Sequence, residues 1–237
     1  MAVPTDPARL STVERTSMTQ QVLHELREAI IDGRLEQGES LREVALSQSL
    51  GTGRSAVREA IRQLIQEGLV EHEVHRGAYV RVMSLKDRLD VYFAREAIEC
   101  GAVRRVIESP EAPDLTPLTA AIDAMRGVAR GRERVSEQLI DADIHFHQAM
   151  VGLAGSPRLS RAHVTLAAET RMLLRHHPPY PWRDYVDDHV LLLDAIEQRR
   201  PDTLDLVAEH LRMSARLISD ELTAGESSPT HEEDTAR

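Results

Sequence analysis

The chain has 237 residues, enough for one large or two modest domains, and its 29 Lys and Arg against 39 Asp and Glu give a formal net charge of −10. This balance excludes a polybasic nucleic-acid binder, and a single cysteine, Cys100, excludes an internal disulfide and a cysteine-based metal ribbon. Scarce aromatic residues favour helices over a β-sandwich. No apolar run approaches the roughly 20 residues that cross a bilayer, and no signal peptide follows Met1, so we expect a cytoplasmic protein.

The first part of the chain has the pattern of a helix-turn-helix. After a polar tail over 1–16, apolar residues at helical spacing predict a helix over 17–32. Ser40-x-x-Glu43 has the form of a capping box and predicts the start of a second helix that stops at Gly51. A third helix over 54–67 follows a three-residue glycine turn, and two short helices joined in this way are typical of a helix-turn-helix.

The third helix would be the recognition helix, which lies in the major groove of DNA. Arg54 and Arg58 lie on its exposed side, and Ser55 lies in its first turn. Arginine binds guanine with two hydrogen bonds, so these residues are candidate base contacts. Arg62 follows Arg58 by four residues on the same side of the helix. An ion pair with Glu59 explains an arginine at this position equally well, so we leave Arg62 out of the site.

Two further segments are candidate DNA contacts. Arg42 lies close to the start of the second helix, where we expect the phosphate backbone. Valine and tyrosine at strand positions predict a β-hairpin whose tip, His75, Arg76 and Gly77, would enter a groove. An arginine stripe by itself is most often a solvated face, but a position after a glycine turn and before a wing favours DNA contact. Residues 17–83 are therefore predicted to form a winged helix-turn-helix.

The rest of the chain has helical periodicity, which predicts an all-α bundle over 84–222 and a disordered acidic tail over 223–237. The fold class is thus mainly α, with one small hairpin. Breaks that leave about six helices fall at Ser109-Pro110, Gly131, Gly155-Ser156-Pro157, Pro178-Pro179-Tyr180-Pro181 and Arg200-Pro201.

Four ionisable residues occupy inward positions of the predicted bundle. At 100° per residue they lie in the middle of apolar stripes, whereas His145 lies on the opposite side of its helix. The four are Asp143, His147, His189 and His210. One buried histidine is more often a hydrogen-bonded core residue than a ligand, but burying the whole set unpaired would cost several kcal/mol. A divalent cation would satisfy all of them, and Zn²⁺ or Ni²⁺ suits these ligands best.

The predicted winged helix resembles the DNA-binding domain of the GntR family of bacterial transcription regulators. The segments that carry the resemblance are 37–43, 51–60, 64–70 and 76–80. It implies that Arg54, Ser55 and Arg58 contact DNA, and that the hairpin tip enters the minor groove. Gly53 stands where the family has a hydroxyl residue that caps the recognition helix, so the cap would move to Thr52 or be lost.

The second part resembles the FCD effector domain of the FadR-like branch of this family. The segments concerned are 143–147, 154–159, 189–196 and His210-Leu211. The resemblance assigns metal binding to the same four residues that helical spacing selects, and it implies a small carboxylate effector with an arginine nearby. Arg95 matches that arginine, although an ion pair with Glu99, four residues later, explains it equally well.

We therefore expect a homodimeric transcriptional repressor that binds a palindromic operator and associates with the bacterial nucleoid when it is on DNA. A small organic acid at the metal site would control this binding. Two alternatives remain. The protein could be a metal-dependent hydrolase, although the chain has no HExxH-like motif to supply a general base, or it could be a helical scaffold that senses no effector.

Overall fold

The computed structural model describes residues 18–129, 137–174 and 182–226, which belong to two compact units divided between Arg81 and Val82. Within these ranges every element is a helix except for one two-stranded hairpin, so the prediction of a mainly α fold is confirmed. The expectations for the two tails over 1–16 and 227–237, for Ser17, and for the breaks at Gly131 and Pro178 to Pro181 lie outside the described residues. None of the described helices has the length and apolarity that a membrane span requires.

The first unit is a winged helix, as predicted. Its elements are α1 (Met18–Ile31), α2 (Glu43–Ser49), α3 (Arg54–Gln66), β1 (Val70–Glu73) and β2 (Gly77–Val80). The two strands are antiparallel, with Val70 opposite Val80 and Glu73 opposite Gly77. Apolar residues spaced three and four apart on α1 and α3 form the core with Leu69, which is fully buried.

The start of α2 differs from the prediction. Ser40 does not cap a helix but forms a β-bridge with Tyr79, and the backbone N–H of Leu41 donates to β2 at 2.8 Å. The helix begins at Glu43, with Arg42 as an N-cap that makes no side-chain capping bond. The capping-box prediction was wrong because pairing with the wing holds this segment extended, and a local helix signal cannot compete with those backbone bonds.

The second unit contains six helices among the described residues, which is the number predicted. They are α4 (Leu85–Glu108), α5 (Thr116–Ala129), α6 (Glu137–Gly152), α7 (Pro157–Leu174), α8 (Trp182–Glu197) and α9 (Thr203–Glu226). Helix α4 packs against α6, α7, α8 and α9, and it therefore crosses the middle of the bundle. Helix α9 continues four residues beyond the predicted start of the tail, because neither Thr223 nor Ala224 stops a helix.

The N-terminus of α4 is fixed by a capping box. The Asp87 N–H donates to the Ser84 hydroxyl at 3.2 Å, and the Ser84 N–H donates to the Asp87 carboxylate at 3.0 Å. The helix thus has a defined start close to the boundary between the units. Further along, Arg95 and Glu99 lie one turn apart on its buried side.

Candidate functional site

The structure brings together the four ligand-type residues selected by helical spacing. Asp143 and His147 lie one turn apart on α6, His189 lies on α8 and His210 lies on α9. One ligand atom from each lies within 4.8 Å of the other three. The first three are buried and His210 is half-buried, so the cluster lies inside the bundle.

The hydrogen bonds of His189 determine which ring nitrogen carries its proton. Its Nδ1 lies 2.7 Å from the carbonyl oxygen of Tyr185, which can only accept, so Nδ1 is the donor. Nε2 then presents a lone pair 3.0 Å from Oδ1 of Asp143, which is also an acceptor. Nε2 is buried and has no hydrogen-bond partner within the described ranges. A cation between these two acceptors removes the conflict, so the residues present fit a metal ion.

His147 is oriented in the same way. Its Nδ1 lies 2.6 Å from Oε2 of Glu99, and its Nε2 faces Nε2 of His210 at 3.3 Å and Oδ1 of Asp143 at 3.6 Å. Burial and the neighbouring His189 and His147 hold the pKa of His210 well below its usual range, so that its imidazole is neutral. Burial would raise the pKa of Asp143, but His147 and His189 outweigh it and hold that pKa well below the usual value. Burial lowers the pKa of His147, but Glu99 and Asp143 outweigh burial and raise that pKa, so metal binding releases a proton from this ring whenever it is charged.

Arg95 is buried beside this cluster, with 2% of its side chain exposed. Its Nε donates to Oε1 of Glu99 at 2.8 Å, and its guanidinium lies 5.3 Å from the centre of the Tyr92 ring. The ion pair that the sequence offered as an alternative is therefore present. It occupies only part of the guanidinium, however, because Nη2 is buried without a hydrogen-bond partner in the described part of the chain.

A cavity adjoins both features. Arg95 lines it together with Asp143, His147 and His210. The other polar residues in the lining are Tyr92, Tyr185, Asp188 and Ser214. The Arg95 guanidinium and a metal ion held by the cluster would both bind the charged oxygens of a small organic acid.

Sequence reasoning missed two residues of this site. It treated Glu99 only as a partner for Arg95, and it did not identify His163 on α7. The structure shows His163 Nε2 at 2.9 Å from Oε1 of Glu99, with both side chains buried. The helical spacing of α7 could have identified His163 as an inward-facing residue. It lies four residues before Ala167 and seven before Thr170, and all three are buried on the same face of the helix.

The candidate DNA contacts in the helix-turn-helix are exposed. Arg42 lies at the start of α2, and Arg54, Ser55 and Arg58 lie on α3. Arg58 is held by Glu43, to which its Nε and Nη2 donate at 2.9 and 2.7 Å. Arg62 pairs with Glu59 at 3.3 Å, as the sequence analysis anticipated when it left Arg62 out of the site.

The recognition helix has no side-chain cap at its N-terminus. Gly53 is the N-cap of α3 and makes no side-chain bond. The buried Thr52 hydroxyl has no partner in the described part of the chain, so the cap is lost and has not moved to Thr52.

At the tip of the hairpin, His75 and Gly77 have φ values of 77° and 83°. Both residues are in the left-handed region, which favours glycine and allows the chain to reverse direction in a tight turn. Arg76 lies over the Tyr79 ring, 3.7 Å from its centre, and its Nη2 lies 3.3 Å from the carbonyl oxygen of Gly38. The ring of Tyr79 and the backbone of Gly38 therefore hold the Arg76 guanidinium in a defined position at the wing.

Comparison with known proteins covers both units. Residues 18–80 match the model "Bacterial regulatory proteins, gntR family", and residues 90–213 match the FCD domain. A probable D-xylose utilization operon transcriptional repressor from Paenarthrobacter nicotinovorans is 31% identical over 83% of this chain and 84% of its own length. The transcriptional repressor RspR of Escherichia coli K12 is 28% identical over 58% of this chain and 59% of its own. The crystal structure of a GntR transcriptional regulator from Rhodococcus sp. RHA1 has a TM-score of 0.70 and 27% identity, and the match covers 90% of this chain and 100% of that one.

Proposed function

Since the chain belongs to the GntR family of bacterial regulatory proteins and carries an FCD domain, we propose that it is a repressor whose DNA affinity is set by a small carboxylate bound beside a divalent metal ion. Like its relatives it is a transcriptional regulator and not an enzyme, which removes the hydrolase hypothesis. The observation that carries the proposal is that one cavity is bordered both by residues of the ligand cluster and by Arg95.

In this proposal Asp143, His147, His189 and His210 hold Zn²⁺ or Ni²⁺. A bound ion supplies a positive charge to which a carboxylate oxygen of the effector can attach. The protein contributes the orientation: the Nδ1 bonds of His147 and His189 turn both Nε2 lone pairs toward Asp143. The four side chains therefore need little rearrangement to bind the ion.

Arg95 provides the second half of the effector site. Glu99 occupies its Nε, and the buried Nη2 has no partner within the described ranges. A buried guanidinium donor without an acceptor is costly, and a carboxylate supplies the acceptor that it needs. The tyrosines of the lining give the effector an apolar wall with hydroxyl groups, which suits a small organic acid.

The first unit, proposed to span 17–83, would bind the operator. Arg54, Ser55 and Arg58 would read the major groove, Arg42 would bind phosphate, and the wing tip at 75–77 would enter the minor groove. One recognition helix reads only a few base pairs, so we propose a homodimer on a palindromic operator. The unit over 84–222 would sense the effector and carry the dimer contact, with a hinge near Ser84.

The proposal is tested with full-length, zinc-loaded protein and an operator selected from a random DNA library. Fluorescence anisotropy measures operator affinity in the presence of each member of a panel of small carboxylates. At least one acid should weaken binding by about 5- to 150-fold, the usual range of coupling between two sites. The matched pair Arg95→Leu and Arg105→Leu alters a buried and an exposed arginine of the same helix, and only the first should abolish the response. Failure to select any DNA, or a response that survives Arg95→Leu, would contradict the proposal.

A further inference from the structure

We propose that Glu99 is a positioning residue that prepares His147 to bind the metal; this inference rests on the metal site of the proposed function. The side chain of Glu99 is completely buried in the middle of α4. It belongs neither to the four-residue ligand cluster nor to the lining of the cavity. Glu99 can therefore affect the metal site only through the groups that it contacts.

Three ring or guanidinium nitrogens from three different helices surround the Glu99 carboxylate. Oε2 lies 2.6 Å from Nδ1 of His147 on α6. Oε1 accepts from Nε of Arg95 at 2.8 Å and lies 2.9 Å from Nε2 of His163 on α7. The ion pair with Arg95, whose guanidinium is always charged, keeps this carboxylate ionised. Both oxygens are thus acceptors with a fixed direction.

This arrangement determines the tautomer of His147. An ionised carboxylate can only accept hydrogen bonds, so the bond to Oε2 keeps a proton on Nδ1 of His147. In the neutral ring, Nε2 is therefore the nitrogen without a proton, and it faces Asp143 and His210. A carboxylate behind a ligating imidazole fixes the ring orientation and increases the basicity of the nitrogen that binds the metal.

Arg95 and His163 act on the carboxylate and not on the metal ligands directly. Their two bonds to Oε1 fix the rotation of the Glu99 side chain, so that Oε2 stays directed at His147. The positive charge of Arg95 also compensates the buried carboxylate, which would otherwise be costly in the interior. The three contacts make Glu99 the common anchor of α4, α6 and α7 at the level of the cluster.

The test measures the affinity of the full-length protein for the zinc ion alone, by competition with a chromophoric chelator and without any organic acid. Glu99→Gln should weaken zinc binding by about 10- to 100-fold, the usual effect of removing such a hydrogen-bond partner. The control Glu108→Gln removes an exposed carboxylate from the end of the same helix and should stay within about twofold of wild type. A folded Glu99→Gln protein that binds zinc as tightly as wild type would overturn the proposal.

A second measurement separates positioning from general support of the fold. In metal-free wild type, at a pH high enough for a neutral His147 ring, ¹⁵N NMR should show the proton on Nδ1, and Glu99→Gln should shift it toward the other tautomer. If Glu99→Gln does not fold by circular dichroism, Glu99→Asp takes its place, because it keeps the charge but withdraws the oxygens from His147. An unchanged tautomer in the folded variant would count against the role.

The same zinc titration distinguishes failure of the proposed metal ligands from failure of the proposed role of Glu99. If wild type does not bind zinc, or if His189→Ala binds it equally well, then the proposed ligand set fails and the role of Glu99 fails with it. If wild type binds zinc and His189→Ala does not, but Glu99→Gln matches wild type, then only the positioning role is wrong.

Discussion

Replacing His189 with alanine should abolish the proposed metal binding and, with it, the stabilisation expected from a bound ion. The imidazole is fully buried, its ring centre lies 4.8 Å from that of Phe146, and it bonds the carbonyl oxygen of Tyr185. Loss of these contacts should lower the free energy of unfolding of the metal-free protein by about 2–4 kcal/mol, the range for truncating a large core side chain. Zinc at 100 times its dissociation constant should add about 2.7 kcal/mol to wild type and nothing to the variant.

Urea unfolding with and without zinc measures both effects, and elemental analysis measures the metal content. His145→Ala is the matched control, because His145 lies on α6 but is exposed to solvent. It should keep the metal and the zinc-dependent stabilisation. The ligand assignment would be refuted by a His189→Ala protein that retains one zinc per chain and is stabilised by zinc as wild type is.

Three other predictions concern DNA recognition, acid stability and backbone conformation. Arg58→Ala should weaken binding to the selected operator by about 5- to 150-fold and relax its sequence preference, whereas Arg62→Ala should change little; equal losses in an anisotropy titration would contradict the recognition role. In metal-free protein, urea unfolding should show stability falling as the pH drops through and below 4.5, because the unfolded chain protonates Glu99 and the folded protein does not. The Glu99→Gln variant should lose less, and parallel pH curves would count against this account. Gly101→Ala, on an open face of α4, should raise the free energy of unfolding by about 0.4–1 kcal/mol, and Gly51→Ala, at φ +60°, should lower it by about 1–2 kcal/mol; melting curves in which both variants shift the same way would disprove the conformational argument.

Helical periodicity carried most of what could be predicted about the bundle. Asp143 and His147 are one turn apart on a single helix, so their common direction follows from the geometry of 3.6 residues per turn. His189 and His210 were found by the same rule, since each interrupts an apolar stripe of its own helix. Convergence of the three helices on one point was an inference from chemistry, because only a shared cation explained all four residues.

Contacts between helices could not be predicted in this way. Glu99 and His163 are 64 positions apart, and their contact at 2.9 Å depends on how α4 and α7 pack. The spacing of Arg95 and Glu99 was visible, but four-residue spacing is equally common in surface ion pairs. The error at Ser40 has a related cause, because a β-bridge to the wing has no signature among the neighbours of Ser40 in sequence.

The capping box at Ser84 has a mechanical consequence for α4. The helix is uninterrupted from Leu85 to Glu108, and it carries Arg95 about 16 Å and Glu99 about 22 Å from its capped start. A tilt of about 5° about that start would displace Arg95 by about 1.4 Å and Glu99 by about 1.9 Å. Under the proposed function, the helix that bears Arg95 and Glu99 is thus also the helix whose fixed end lies next to the boundary between the two units.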